Sequence, residues 1–274
     1  MRTKIDEQII GAVINKWKLP HGGPLTERIN KMIHLDLMKG YFGSNPTMIV
    51  GGVQYHLGGV RDTEELANLA SITSFDQVLD VACFLGGPAL QLAESYRCRV
   101  IGIDKNGLFI MAANKIAYLC GLNHLASFHV ADATDLPFDD REFSVVWSQC
   151  SLAHDEKWLE ECDRVLKQHC RLALTFSIRR ENPDQRSPKW TLQQIINQIK
   201  DLDYKILHGE DITIRDIEIG WKALDKQLSE QEKEFIQILG DVWVREAHQK
   251  FSNEIELMLK GQWGNGRIIA EKLS

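Results

Sequence analysis

Short apolar runs alternate with amphipathic patterns through the middle of the chain. Five runs rich in β-branched residues predict strands, because turn-forming or polar residues bound each of them. They are residues 77–82, 99–104, 126–132, 142–149 and 171–177. Apolar residues at helical spacing predict helices over about 87–95, 107–119 and 156–167. Strands separated by such helices are typical of a parallel sheet that is covered on both faces.

The two flanks of this region follow other patterns. Residues 9–17 and about 25–40 have helical spacing, whereas 41–59 is rich in glycine and aromatic residues and is expected to be a loop or lid. The later segments predict a sixth strand, a helical stretch and a last strand. They are 204–209, 215–260 and 266–273.

These elements predict an α/β fold with a doubly wound, mostly parallel seven-stranded sheet and a helical cap. We expect four parts along the chain. Residues 1–60 hold N-terminal helices and a lid, and 61–212 form the core. Residues 213–260 form the cap, inserted before 261–274, which contain the final strand of the core.

Composition narrows the class of protein. The chain has 274 residues and a net charge of −6, which argues against a general nucleic-acid or anionic-membrane binder. No apolar run approaches the length of a membrane span, and the N-terminus has no secretory pattern. The six cysteines form no CxxC pair and no spacing that suggests a metal site, so we expect reduced thiols and a cytoplasmic location.

The segment 78–87, VLDVACFLGG, carries the clearest chemical signal. An apolar strand ends in Asp80, a turn of mostly small residues follows, and a helix is predicted next. Asp104, which lies twenty-four positions after Asp80, ends the next predicted strand. In folds of this kind an acid at that second position hydrogen-bonds a ribose, so the spacing indicates an adenosine-type cofactor.

Two kinds of cofactor fit this spacing differently. A dinucleotide needs G-x-G-x-x-G so that backbone amides can meet a pyrophosphate, and here those positions are Ala82, Phe84 and Gly87. S-adenosylmethionine has no phosphate and tolerates side chains in the turn, provided that the backbone at Gly86 and Gly87 can come close. The sequence therefore favours S-adenosylmethionine. An α/β turn without a ligand remains the alternative.

Two further signals follow in order. The third strand is followed by Ala131-Asp132-Ala133, and the fourth reads FSVVWSQ with His154 soon after. Over about 57–177, this order resembles the small-molecule class I S-adenosylmethionine-dependent methyltransferases. It is most similar to the glycine, sarcosine and dimethylglycine N-methyltransferase group. The resemblance implies a Rossmann-like methyltransferase fold with S-adenosylmethionine as cofactor.

The resemblance also implies roles at the first two strand ends. Asp80 and the backbone from Ala82 to Gly86 would hold the methionine amino and carboxylate groups. Asp104 would accept both ribose hydroxyls.

Further roles follow for the third and fourth strand ends. Lys105 would flank the adenine, Asp132 would accept from its amino group, and the Ala133 amide would contact a ring nitrogen. The residues expected to face the methyl group and the acceptor are Trp147, Ser148 and Gln149.

The first motif departs from the family pattern D-x-G-x-G-x-G at Ala82 and Phe84. Alanine costs little if its φ stays negative, but phenylalanine at positive φ is strained. The Phe84 ring either points away from the ligand, which we favour, or fills space that the methionine end would use. This departure motivates an alternative function, a non-catalytic protein that binds a cofactor or a partner on the same fold.

Candidates for catalysis and acceptor binding complete the prediction. A general base is needed only if the acceptor arrives protonated, and His154 and His56 are the candidates for it. Gln149 is the third residue expected to take part in catalysis. Tyr41 and Trp147 are candidates for contact with the acceptor, although aromatic residues often only pack. The acceptor is expected to be a small molecule, and the sequence leaves open whether the chain forms a homo-oligomer.

Overall fold

The computed structural model describes residues 4–151 and 156–274, with the side chains of residues 4–6 excepted. These residues form a seven-stranded sheet with the order β3-β2-β1-β4-β5-β7-β6. Its strands are β1 (Gln77–Val81), β2 (Arg99–Asp104), β3 (Ala126–Val130), β4 (Phe143–Gln149), β5 (Leu166–Arg179), β6 (Tyr204–Asp211) and β7 (Trp263–Lys272).

Most neighbouring strands are parallel. β1 pairs in parallel with both β2 and β4, β2 with β3, and β4 with β5, whereas β7 lies antiparallel between β5 and β6. The strand order reverses between β1 and β4. In an open parallel sheet, such a reversal leaves a crevice outside the carboxyl ends of the strands, where ligands bind.

Helices cover both faces of the sheet. One core cluster joins α4, α5 and α6 to the sheet, and a second joins α7 and α8 to the opposite face. The bounds of these helices are α4 (Gly59–Leu69), α5 (Gly87–Tyr96), α6 (Gly107–Leu119), α7 (Glu156–Val165) and α8 (Leu192–Asp201). The prediction of a doubly wound, mostly parallel α/β fold is therefore confirmed.

The N-terminal region packs on the first of these clusters through α1 (Lys4–Asn15) and α2 (Leu25–Met38). The expectation of a loop over 41–59 is wrong in part, because a short helix, α3 (Pro46–Gly51), lies within it. The Asn45 side chain accepts from the Thr47 backbone N–H at 3.0 Å and so caps this helix, and Pro46 begins it. Proline is favoured at a first helical position, since its fixed φ suits the helix and its missing N–H is not needed.

A helical segment connects β6 to β7. It contains α9 (Thr213–Asp216), a π-helical turn (Ile217–Trp221), α10 (Lys222–Glu230), α11 (Glu232–Leu239) and α12 (Asp241–Leu259). Its buried side chains form a third cluster, which includes Ile49 and Val50 of α3. The helical prediction for 215–260 is thus confirmed, and the segment lies against the N-terminal region.

Two boundaries differ from the sequence prediction. The helix expected over 156–167 ends at Val165, and β5 begins at Leu166 rather than at 171. No glycine or proline separates the two elements, so no residue type marks the change. In the part of the chain that the structure describes, no helix combines the length and apolar character needed to cross a bilayer.

Candidate active site

A cavity of about 610 Å³ opens at the carboxyl ends of β1, β2 and β4, where the strand order reverses. Five of the predicted site residues line it. They are His56, Asp80, Ala82, Asp104 and Gln149. We call the part around Asp80 and Asp104 the cofactor end. The part formed by Asn45, Trp221, Lys250, Glu254 and Trp263 is called the acceptor end.

The turn between β1 and α5 has a left-handed backbone at alternate residues. The φ angles are +61° at Ala82, +52° at Phe84 and +78° at Gly86. The low cost of alanine at position 82 depended on a negative φ, and that condition is not met. A left-handed residue other than glycine costs on the order of 1 kcal/mol, and strain of this kind concentrates at functional sites. The turn therefore has a backbone conformation that glycine adopts easily, although Ala82 and Phe84 stand where the family pattern has glycine.

The two glycines that remain in the turn are required by packing. A Cβ atom on Gly86 would lie 2.5 Å from the Phe128 ring, and one on Gly87 would lie 2.3 Å from the Val53 carbonyl oxygen. Both distances are far below van der Waals contact. Gly87 thus allows the segment before α4 to approach the first turn of α5, which closes one side of the cavity.

Asp80 is a buried acid whose carboxyl group is not fully hydrogen-bonded. Its side chain is 2% exposed, and its Oδ2 has no hydrogen-bond partner among the described residues. Burial raises the pKa of Asp80 to about 8, and the nearby Asp104 adds to the shift. An unpartnered carboxyl that lines a cavity is suited to bind a cation, because a cation would satisfy Oδ2 and restore the charge.

Asp104 is anchored by the backbone at both of its oxygens. Oδ1 accepts the Asn106 N–H at 2.8 Å, and Oδ2 accepts the Phe84 N–H at 3.2 Å. Burial raises the pKa of Asp104, although these two bonds act in the opposite direction. Each carboxylate oxygen has a second lone pair, so the group can still accept hydroxyl hydrogens from a ligand.

The Phe84 ring lies along the wall of the cavity. It packs edge-on against Phe109 at a centroid distance of 4.7 Å and tilted against Tyr55 at 5.3 Å. The ring is buried, so it does not point outward into solvent. These aromatic contacts stabilise the residue and offset the strain of its backbone.

A buried polar cluster lies behind the cavity and centres on Asp62. Its Oδ2 accepts from Gln149 Nε2 at 2.7 Å, and its Oδ1 accepts from Arg267 at 2.9 Å. The same Oδ1 forms an ion pair with Arg215, with a nitrogen–oxygen distance of 2.9 Å. Gln149 Oε1 in turn accepts from the Trp147 indole N–H at 3.2 Å. The Gln149 amide is thus held at both ends. Since Arg215 belongs to α9, the cluster also ties the segment between β6 and β7 to α4.

His56 is buried within the same cluster. Its Nε2 lies 3.0 Å from the Gly59 carbonyl oxygen and 3.2 Å from Thr63 Oγ1. A carbonyl can only accept, so Nε2 carries the proton and Nδ1 keeps a lone pair. Burial lowers the pKa of His56 below 6.5 despite the opposing effect of Asp62. The ring is therefore neutral near pH 7.

The acceptor end contains residues that the sequence did not single out. Lys250 of α12 donates to Asn45 Oδ1 at 2.9 Å, and Asn45 Nδ2 donates to the Tyr55 hydroxyl at 3.2 Å. Trp221 ends the π-helical turn and lines the cavity. The Asn45-Pro46 pair was a visible sign of a helix start, but nothing local in the sequence connects Lys250 or Trp221 to Asp80.

The other predicted residues lie elsewhere. Tyr41 packs on the first core cluster, and Trp147 is fully buried. The Ser148 hydroxyl donates to the Val81 carbonyl at 3.0 Å, and Lys105 lines a separate pocket at the start of α6. His154 lies outside the described residues.

Asp132 and Ala133 follow β3. Asp132 is exposed, and its Oδ1 accepts from the Thr134 backbone and hydroxyl at 2.9 and 2.8 Å. Ala133 is half-buried beside the second core cluster. The predicted contacts of these two residues with adenine stay predictions.

Residues 78–169 match a family model described as a methyltransferase domain. The chain is also 35% identical over 117 residues to 27-O-demethylrifamycin SV methyltransferase from Amycolatopsis mediterranei. That match covers 42% of this chain and 43% of the relative. The chain spans less than half the length of the first curated relatives that it matches.

Solved structures extend the likeness in fold. Phosphoethanolamine N-methyltransferase 2 from Haemonchus contortus, in complex with S-adenosylhomocysteine, matches with a TM-score of 0.77 and 16% identity over 93% of this chain and 61% of that one. Geranyl diphosphate C-methyltransferase from Streptomyces coelicolor A3(2) matches with a TM-score of 0.63 and 15% identity over 100% of both chains. Residues 78–169 are thus similar to a methyltransferase domain, and the chain shares its fold with these solved methyltransferases.

Proposed function

We propose that the protein transfers a methyl group from S-adenosylmethionine to a nitrogen, oxygen or carbon atom of a small-molecule acceptor. The observation that carries the proposal is the pair of acids at adjacent strand ends. Asp80 and Asp104 line one cavity at the point where the strand order reverses, and Asp80 Oδ2 has no hydrogen-bond partner within residues 4–151 and 156–274. An ammonium group and a ribose diol are the groups that such a pair would bind.

The residues at the cofactor end fit this donor. Asp80 would hold its amino group, and Asp104 would accept from its ribose hydroxyls. Phe84 and Phe109 offer an aromatic wall beside Asp104. When bound, S-adenosylmethionine supplies a methyl group that its sulfonium already activates for in-line displacement, so the main task of the protein is to position the two reactants.

The chain offers a base for acceptors that arrive protonated. His56 is neutral, lines the cavity, and keeps the Nδ1 lone pair able to take a proton. Gln149 is a positioning residue in this proposal, because Asp62 and Trp147 already occupy its amide. The segment 213–260 would act as a cap, since Trp221 and Lys250 from it line the acceptor end.

We expect His56→Gln to lower kcat by about 100-fold or more, because glutamine has no nitrogen that can accept a proton at neutral pH. The affinity for S-adenosylhomocysteine should stay within a few-fold of the parent. At saturating donor, kcat of the parent should be constant above pH 6.5 and fall at lower pH, because the pKa of His56 is lowered from 6.5 and only the neutral ring can accept a proton. The matched control is His208→Gln on β6, where the histidine pairs with Glu210. An unchanged kcat for His56→Gln would exclude His56 as the general base.

We expect Phe84→Gly to leave the affinity for S-adenosylhomocysteine within a few-fold of the parent, because the turn already follows a backbone path that glycine prefers. Loss of the buried ring should lower the stability by about 1.5–3 kcal/mol, and relief of the backbone strain should offset part of that loss. Calorimetric titration and urea denaturation measure the two effects. Much tighter binding by the glycine variant would mean that the ring fills cofactor space, and would favour the non-catalytic alternative.

The proposal is tested with S-adenosylmethionine that carries a deuterated methyl group. The protein is incubated with it and a metabolite extract, and mass spectrometry follows labelled products and S-adenosylhomocysteine. We expect a labelled small molecule that forms more slowly with Asp104→Ala when the donor is below saturation. Cofactor binding without any labelled product would support the non-catalytic alternative instead.

The cellular setting is also a proposal. Cys83, Cys98 and Cys162 are free and buried, which is compatible with reduced thiols in a cytoplasm. The negative net charge supports a small molecule rather than a nucleic acid as the binding partner.

A further inference from the structure

One lysine at the acceptor end forms no ion pair with a described residue. Lys250 Nζ donates to the neutral Asn45 Oδ1 at 2.9 Å and pairs with no carboxylate among the described residues. Other lysines of the same segment do pair one helical turn away. They are Lys222 with Glu218, Lys226 with Glu230 and Lys260 with Glu256. Lys250 is half-buried and lines the cavity, whereas these paired lysines are exposed to solvent.

The acid best placed to pair with Lys250 is directed elsewhere. Glu254 lies one turn further along α12, yet its side chain accepts a hydrogen bond from Trp263. Burial raises the pKa of Glu254, and this outweighs the opposing effects of Lys250 and Arg186. Arg186, also in the wall, pairs with Asp184 at 3.1 Å. Among the described residues at this end, Lys250 acts on Glu254 but is ion-paired with no carboxylate, so its ammonium can bind a ligand.

Apolar side chains line the same region of the cavity. They include Met48, Leu57, Trp221 and Leu257. A ligand that reached Lys250 would therefore lie against apolar surface for part of its length. An anion adds charge attraction to the hydrogen bond from the ammonium, which the neutral Asn45 amide oxygen does not offer, so an anion would replace Asn45 Oδ1 as the acceptor.

We propose that the methyl acceptor is a small molecule with an apolar body and an anionic group, a carboxylate or a phosphate monoester, which Lys250 binds. Arg186, which also lines the cavity, would lie near the same group. This inference rests on the proposed methyl transfer, since it concerns the acceptor end of the same cavity.

The test uses protein loaded with S-adenosylhomocysteine and matched probe pairs. The carboxylate arm compares cinnamate with cinnamamide and hexanoate with hexanamide. The phosphate arm compares phenyl phosphate with phenol and hexyl phosphate with hexanol. Ligand-observed NMR titration measures each affinity in the parent, Lys250→Met, Lys250→Arg and the control Lys222→Met, which removes an exposed lysine of the same segment.

We expect the anionic member of at least one arm to bind about tenfold tighter than its neutral partner in the parent. The preference should fall to within about twofold in Lys250→Met and persist in Lys250→Arg and Lys222→Met. The arm that shows the preference identifies the anion as carboxylate or phosphate.

Three results would overturn the inference. They are equal affinity within every pair, a preference that survives Lys250→Met, and no binding of any anionic probe at millimolar concentration. The loading step separates this inference from the proposed function. If S-adenosylhomocysteine does not bind, the proposed function fails. If it binds and the anion preference is absent, only the inference about the acceptor fails.

Discussion

Replacing Asp80 with asparagine is expected to weaken cofactor binding strongly and, at the same time, to stabilise the ligand-free protein. The two effects have one cause. The carboxyl is buried, and its Oδ2 has no partner in the described part of the chain, so its ionised form is unfavourable until a cation binds. Loss of a buried charge partner for an ammonium costs about 2–5 kcal/mol, which corresponds to at least a 30-fold loss of affinity.

The gain in stability has a defined pH dependence. The pKa of Asp80 is about 8 in the folded protein, whereas an unfolded aspartate titrates near pH 3.9. Between these values the folded state must hold a proton that the unfolded state releases, so the parent loses stability as pH rises from about 4 to 8. Asparagine does not titrate, so the variant should be more stable by about 2–4 kcal/mol at pH 7 and by little near pH 4.

Urea denaturation of both proteins at several pH values, together with calorimetric titration of S-adenosylhomocysteine, checks both effects. The matched control is Asp139→Asn, an exposed acid on the loop before β4. A variant that binds the ligand like the parent, or that is less stable than the parent at pH 7, would contradict the role given to Asp80.

Replacing Asp104 with alanine is expected to weaken cofactor binding by at least tenfold, because each charge-assisted bond to a ribose hydroxyl is worth about 1.5–3 kcal/mol. The change also removes the acceptor of the Phe84 and Asn106 backbone N–H groups, so some stability is lost as well. Asp104→Asn separates the two effects, since its amide oxygen can still accept one of these bonds. We expect its affinity to lie between those of the parent and the alanine variant. An unchanged dissociation constant for a folded Asp104→Ala would exclude the ribose contact.

The sheet and the strand-end acids could be predicted from the sequence because their signals are local. Apolar runs such as 77–82 and 99–104 place Asp80 and Asp104 at strand ends, and parallel strands bring their carboxyl ends to one edge. The antiparallel position of β7 between β5 and β6 could not be predicted in this way, because the residue pattern of a strand does not determine which strands it pairs with. The short helix α3 was missed because six residues are too few for a clear periodicity.

The acceptor end was the least predictable part of the site. Lys250 and Trp221 reach the cavity only because the segment between β6 and β7 folds back over the N-terminal region. Contacts between residues so distant in the chain depend on tertiary packing. Conversely, Trp147 matched a family motif, but its side chain is in the core and serves to hold Gln149.

The central claim is that the cavity at the carboxyl ends of β1 and β2 binds the methyl donor through Asp80 and Asp104. Calorimetric titration of the parent protein with S-adenosylhomocysteine tests it most directly. The account predicts one site with a dissociation constant on the order of micromolar, and tighter binding as pH rises toward 8, because Asp80 must release its proton to pair with the amino group. Absence of binding at millimolar ligand would contradict it.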